Sequence, residues 1–463
     1  MYKLSYYLIE HKNENEVVLF STRTGKWIHL SDKQYQTTII KGDFSDLSLV
    51  AKLKDIKILV PIEEDEFDLL RRERRVARKK TNNLPVSNFV ITPTMDCNAR
   101  CFYCFEHTAC HDIHMDSMNE ETAKNVANFI LDKTQGESFT IHWFGGEPLM
   151  RTDIIDIISD ILNAAGAKYI TNITTNGYYV DQPTIEKMKT KWHVHLLKVT
   201  VDDIGEKYNK IKNYRTPCVD DPFTYVMTNL KSAVDNGINV RIRANYNPLE
   251  TELIDRMNTF MTEWFEGNPN IHFHFVAIDS NSKKIPALSA NFKDKKTHPY
   301  MEVLDREKKC ETRDNMDKYD AEERELAKKF TPWCNIRSTL ITDDVSKVLA
   351  DHYLMPVPFN CLGVCDNSLA IDSHGDIYVC HRLLGQGKEV SSGNVNDGII
   401  NNEIYRYFQS TEADEEECKK CNLLPLCGGG CKYKRMNYKN NHHIPIKGAA
   451  EEALVHALDI LEQ

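Results

Sequence analysis

The sequence predicts an α/β protein: a partial (β/α)6 TIM barrel between a small amino-terminal domain and a Cys-rich carboxyl-terminal domain. Three observations carry this expectation. Strand-like apolar runs alternate with amphipathic helical ones from Asn88 to about Ile278, a pattern that favours a parallel sheet covered by helices. Three Cys crowd into the loop directly after the first of these strands, where such sheets keep their chemistry. A second group of Cys gathers in the final quarter of the chain. At 463 residues there is room for two or three domains, and composition divides the chain at 1–84, 85–279, 280–345 and 346–463.

In the first region, Tyr6-Tyr7-Leu8-Ile9 and Val17-Val18-Leu19-Phe20 flank a polar turn and predict a hairpin, with Lys26-Trp27-Ile28-His29-Leu30 as a third strand. Leu47, Leu49, Val50, Leu53, Ile56 and Ile58 then predict short helices ending at Val60-Pro61. Such a unit either packs as a cap or offers a strand edge to an incoming peptide. The basic run Arg71–Lys80 predicts the solvated face of a linking helix. Barrel strands are expected at Phe89–Pro93, Phe139–Phe144, Tyr169–Thr174, Leu196–Val201, Val240–Tyr246 and Ile271–Ala277. Helices are expected at Glu120–Leu131, Ile154–Ala164, Thr184–Lys191, Tyr225–Asn236 and Leu253–Phe265. Asp279–Phe330 reads as a charged bridge with a helix near Ala321–Lys328.

Composition narrows the function. The chain is 41% hydrophobic and 27% charged, as in an ordinary globular protein, and Met1-Tyr2-Lys3-Leu4-Ser5 lacks the apolar run of a signal peptide. A cytoplasmic protein is expected, with no membrane partner. Fourteen Cys in that compartment point to metal or redox chemistry rather than disulfides. A net charge of −10 argues against nucleic acid as a partner.

The stretch Cys97-Asn98-Ala99-Arg100-Cys101-Phe102-Tyr103-Cys104 places three thiols on one loop, suited to an iron–sulfur cluster that leaves one metal without a protein ligand. A zinc site completed by Cys110, His107 or His111 is the alternative. Further on, Cys361-x13-Gly375-x4-Cys380 is followed by Cys418-x2-Cys421-x5-Cys427-x3-Cys431, again a metal-ligating array, with two zinc ribbons as the alternative. The second strand ends in Gly145-Gly146-Glu147-Pro148 and the third in Thr174-Thr175-Asn176-Gly177.

The three-Cys loop with Tyr103, together with Gly145-Gly146-Glu147-Pro148, resembles the radical S-adenosylmethionine (SAM) enzymes. The later Cys array resembles their SPASM domain, and the first region resembles the winged-helix leader-peptide recognition element of peptide maturases. The resemblance implies a [4Fe-4S] cluster on Cys97, Cys101 and Cys104, and SAM held by Tyr103, Gly145, Gly146, Glu147, Thr174, Asn176, Arg243 and Asn245. It implies two auxiliary clusters, the first on Cys361, Cys380 and Cys431 with Cys365 as fourth ligand, the second on Cys418, Cys421 and Cys427. Where the family pattern has its seventh Cys, this chain reads Ile446-Lys447-Gly448-Ala449-Ala450-Glu451, so His442, His443, an exogenous ligand or an incomplete cluster are the alternatives. His381 stands where sulfatase-maturing relatives carry an acid, and Asp202 lies at a substrate-side position; both are candidate catalytic residues.

The activity implied is oxidoreductase-type modification of a ribosomally synthesised precursor peptide (a RiPP) carrying a leader sequence, with a flavodoxin- or ferredoxin-type reductant. The favoured product is a thioether from a Cys sulfur to Cα or Cβ of another residue, with the substrate thiolate on an open iron of the first auxiliary cluster. If Cys365 closes that cluster, outer-sphere electron transfer becomes its role. A carbon–carbon or ether cross-link, sulfatase maturation, and a zinc-braced peptide adaptor without catalysis are the rivals.

Overall fold

The computed structural model describes residues 1–12, 16–73, 84–104, 116–215, 217–246, 252–277, 367–409, 416–427 and 432–433. Two units divide them, one formed by residues 1–73 with 416–433 and the other by residues 84–277 with 367–409.

In the first unit, β1 (Tyr2–Leu4) pairs antiparallel with β5 (Leu59–Pro61). Strands β2 (Leu8–Lys12), β3 (Glu16–Ser21) and β4 (Lys26–Ser31) form the expected antiparallel meander, with β3 central. One helical turn, α1 (Asp32–Gln34), opens on a capping box in which Ser31 accepts from Gln34 N–H. Helix α2 (Leu47–Asp55) is capped by the Asp46 carboxylate, and it turns Leu49, Val50 and Leu53 onto Val17, Leu19 and Leu30. That is one helix where the apolar spacing predicted several short ones.

This sheet does not pack alone. Tyr7 and Leu70 are buried together with Cys418 and Leu424. Thr22 Oγ1 donates to the Asn422 carbonyl, Tyr6 Oη to that of Lys420, and Asn422 Nδ2 to the Leu8 carbonyl at 3.1 Å. The segment carrying Cys418 and Cys421, expected within one carboxyl-terminal domain at 346–463, therefore belongs with the amino-terminal sheet.

The second unit is built on parallel strands β6 (Asn88–Ile91), β7 (Phe139–Trp143), β8 (Tyr169–Thr175), β9 (Val194–Thr200), β10 (Val240–Tyr246) and β11 (Ile271–Ala277), each hydrogen-bonded to the next. Between them run α3 (Glu120–Thr134), α4 (Thr152–Ala164), α5 (Gln182–Thr190), α6 (Glu206–Lys212), α7 (Pro222–Asp235) and α8 (Glu252–Phe265). Caps fix the helix starts: Asn119, Asp181 and Asp221 each accept from a first-turn amide, worth about 1 kcal/mol apiece. Alternate strand residues such as Ile141, Ile173, Leu197 and Ile242 meet Val126, Ile158, Ile185 and Leu230 of the helices in one core.

Two features escaped the sequence pattern. Strand β12 (Ser368–Ile371) joins β6 in parallel and β13 (Ile377–Tyr378) follows it, widening the sheet to eight strands. Helix α6 lies in a stretch whose polar composition gave no apolar stripe. Among the described residues no helix is long and apolar enough to cross a membrane. The bridge at 280–345 lies outside the described residues.

Candidate functional site

The site forms where the strands of the second unit end. The loop after β6 carries Cys97, Cys101 and Cys104, and neighbouring backbone holds it closely. Gly146 N–H donates to the Thr94 carbonyl at 3.0 Å, and Glu147 N–H to that of Asp96 at 2.8 Å. A Cβ on Gly146 would lie 2.1 Å from the Asp96 carbonyl oxygen and 2.5 Å from that of Met95. Gly145 sits at φ +110°, and its Cβ would meet Thr92 Cγ2 at 2.3 Å. The glycines thus admit the cluster loop itself, whereas the sequence had suggested the approach of a ligand.

Glu147 is wholly buried, and both its oxygens are engaged: Oε1 accepts from Thr175 Oγ1 (2.7 Å) and Leu149 N–H (3.1 Å), Oε2 from Asn176 N–H (2.8 Å). Burial pushes its carboxyl up to about 7 against those three donors. This side chain ties the Gly-Gly turn to the end of β8. Asn176 reaches back from there: its Nδ2 donates to Asn98 Oδ1 at 2.6 Å and lies 3.8 Å from Cys97 Sγ.

The other side of the loop is pinned by α6. Arg100 N–H donates to the Lys212 carbonyl (2.8 Å), and Arg215 N–H to that of Asn98 (2.9 Å). Below the loop, Asp202 Oδ2 accepts from Tyr103 Oη (2.6 Å) and Lys212 Nζ (2.9 Å), while its Oδ1 accepts from Asn245 N–H and Nδ2, both at 2.9 Å. Asp202 is 0% exposed. Its expected substrate-side role is corrected accordingly, since four donors and no open surface make it the anchor of the cluster loop. Burial opposes the Lys212 ammonium, but Asp202 and Cys101 outweigh it and hold its pKa above the ordinary lysine value. Asp203, also buried, pairs with Arg256 at 2.8 Å. Arg243 Nε donates to Asn245 Oδ1 at 2.9 Å.

Sequence reasoning missed Lys212, His142 and Lys198. His142 Nε2 is 2.7 Å from Thr174 Oγ1, and its ring contacts Phe144, which in turn meets the His381 ring edge-on. Burial, then Lys198, then His381 push His142 down to about 3. His381 keeps an exposed face, yet desolvation by the protein around it, with Arg382 and Lys198, pushes it down to about 4. Both imidazoles are neutral at pH 7. Only strand alternation, read against the Ile141–Trp143 face, would have flagged His142.

The Cys loop fits an iron–sulfur cluster. Burial pushes the Cys97 thiol well up, and the nearby Glu147, Cys101 and Cys104 add to it, so iron bound there would offset a negative charge that this pocket disfavours. Among the described residues no three His, Cys, Asp or Glu side chains are gathered for a single metal ion. Cys380 and Cys418 are buried and Cys421 is half-buried; Cys380 belongs to the second unit, Cys418 and Cys421 to the first. Cys361, Cys365, Cys431, His442 and His443, with Cys110, His107 and His111, lie outside the described residues, as does the Cys427 side chain.

Comparison with known proteins agrees with this geometry. The profile of the radical SAM superfamily matches residues 91–260, and that of the SPASM iron–sulfur cluster-binding domain matches residues 361–422. A cysteine-type anaerobic sulfatase-maturating enzyme of Clostridium novyi is 23% identical over 77% of this chain and 90% of its own. The crystal structure of Streptococcus suis SuiB superposes with a TM-score of 0.52 at 17% identity, covering 95% of this chain and 98% of its own. The native anSMEcpe structure with bound AdoMet and the Cp18Cys peptide gives 0.54 at 17% identity, covering 82% and 99%. These structures share the fold. With its three-Cys loop and glycine turn inside the first match and Cys361, Cys365, Cys380, Cys418 and Cys421 inside the second, the chain is a radical SAM enzyme that uses SAM and iron–sulfur clusters and carries a SPASM domain.

Proposed function

We propose that the protein modifies a ribosomally made precursor peptide, forming a thioether from a Cys sulfur to the Cα or Cβ of another residue. The observation that carries the peptide reading is the amino-terminal unit. Its three-stranded sheet has β4 as an edge strand suited to pairing with a leader peptide, while Asn422 Nδ2 already meets the Leu8 carbonyl of β2. The match to SuiB, solved also with its precursor peptide SuiA, extends over this region, covering 95–96% of the chain, whereas the anSMEcpe matches cover 81–82%. His381, whose ring meets Phe144 edge-on after β7, is the candidate acceptor for a substrate proton.

When bound and reduced, the cluster would supply the electron for reductive cleavage of SAM, and with it the radical chemistry that removes a hydrogen atom from a substrate carbon. Cys97, Cys101 and Cys104 would hold that cluster, and Asp202 with Lys212 holds their loop in place through Tyr103. Arg243 and Asn245, joined to each other at 2.9 Å, are assigned to the SAM carboxylate. Cys361, Cys380 and Cys431, with Cys365, are assigned to the first auxiliary cluster; Cys418, Cys421 and Cys427, with a non-Cys ligand, to the second. A flavodoxin- or ferredoxin-type protein is the proposed reductant. Co-expression with each small open reading frame beside the gene, followed by mass spectrometry, tests the reading. A thioether appears as the loss of one hydrogen pair with a Cys that resists iodoacetamide; unmodified peptides throughout would refute it.

Sulfatase maturation is the second reading, favoured by the Clostridium novyi relative. Against it, His381 replaces the acid that the sulfatase-maturing pattern carries. Formylglycine in a sulfatase peptide would establish it.

A further inference from the structure

The six parallel strands show an apolar face to the helices and a polar one to the barrel lumen, and the lumen has a sign. None of the six strands contains an acidic residue, although the chain as a whole carries a net charge of −10. The helix-side residues Leu197, Val199, Ile242 and Ala244 are buried in the core, so alternation turns Lys198, Arg241 and Arg243 to the lumen. Lys198 pairs in register with Thr174 on one side and Arg241 on the other.

Beside these cations stands an amide without a partner. Asn172, in register with His142, has a buried Oδ1 that meets no hydrogen-bond donor. An unmet buried acceptor costs about 1–3 kcal/mol, so a bound group is expected to supply the donor. A ligand that fills this lumen must accept from an ammonium and a guanidinium while donating to an amide. An amino-acid residue with an acidic side chain does both, through its carboxylate and its main-chain N–H.

We propose that Lys198 and Arg241 form a substrate subsite for a Glu or Asp side chain of the peptide, next to the residue from which hydrogen is taken. This rests on the peptide-modifying reading above. The competing anion is the SAM carboxylate, but Arg243 and Asn245 lie nearer the strand ends, whereas Lys198 and Arg241 lie deeper. A paired carboxylate there is held by charge-assisted hydrogen bonds.

Two acetylated peptide amides, identical except for a central Glu or Gln and deuterated at that residue and the next, test it. Each is given to the reconstituted enzyme with SAM and dithionite, and deuterium in 5′-deoxyadenosine is measured by mass spectrometry. The Glu peptide should transfer about tenfold to hundredfold more deuterium than the Gln peptide, the span of a hydrogen bond to a charged group. In Lys198→Met that ratio should fall towards equality, and Lys198→Glu should prefer a third peptide with a central Lys. Because each ratio is taken within one variant, partial loss of folded enzyme does not change it. Equal transfer from both peptides, transfer from neither, or a Glu preference that survives in both variants overturns the proposal. If the co-expressed precursor is modified all the same, the peptide-modifying reading stands and only the lumen assignment falls.

Discussion

Replacing Asp202 by Ala tests what holds the cluster loop in place. Its carboxylate takes four donors, and the Lys212 ammonium is 2% exposed, so the substitution leaves a buried cation with the Tyr103 hydroxyl, at 3.2 Å, as its neighbour. Removing one partner of a buried ion pair costs about 3–5 kcal/mol. The Asn245 backbone and side-chain donors are orphaned too, which puts Asp202→Ala at the upper end of that range. Lys212→Met is expected to cost less, about 1–3 kcal/mol, because Asp202 keeps Tyr103 and both Asn245 donors. The double variant Asp202→Ala/Lys212→Met should lose less than the sum of its singles, by about 2 kcal/mol, since the two groups act as a unit. Urea midpoints of anaerobic protein at equal iron loading, fitted with the slope free, measure all three. If Asp202→Ala costs under about 1 kcal/mol and retains its iron, or if the two singles simply add, this network is not what fixes the loop.

Three further outcomes follow from the same geometry. Gly146→Ala drives a methyl into the Asp96 and Met95 carbonyls, so the loop must shift; iron content after reconstitution should fall, with overpacking costing about 1–3 kcal/mol. Asn176→Ala removes an amide donor 3.8 Å from Cys97 Sγ; donors to cluster sulfur favour the reduced state, so a redox titration should show a more negative potential. His142 is held at about 3, below its unfolded value near 6.5, so the unfolded chain binds more protons and stability falls as pH drops from about 6.5 towards 3, by up to about 1.4 kcal/mol per pH unit. His142→Gln should flatten that acid slope in urea midpoints taken across the window.

What the sequence disclosed depended on how local each signal was. The six barrel strands were legible because their apolar runs are contiguous, and Cys97–Cys104 because its ligands share one loop. Strand β12 was not, since Ser368-Leu369-Ala370-Ile371 is short and is made a strand only by β6 beside it. Asp202 looked like a substrate contact because its partners come from three distant segments, at Tyr103, Lys212 and Asn245. Lys212 sits in a helix with no apolar stripe, and a wholly buried lysine is rare enough that composition argues against it. The lumen charge was readable in principle, as strands without acids, once the face each residue occupies is known.

The pairing of Tyr6, Tyr7 and Thr22 with the segment around Cys418 bears on biosynthesis. These contacts span 400 residues or more, so Tyr7 and Leu70 cannot be buried until the segment around Cys418 has been made. Until then the nascent chain presents an open aromatic patch, the kind of surface that chaperones bind and that aggregates when they are scarce. Shortening the chain before residue 416 should therefore damage its beginning as much as its end, visible as faster proteolysis within the first seventy residues.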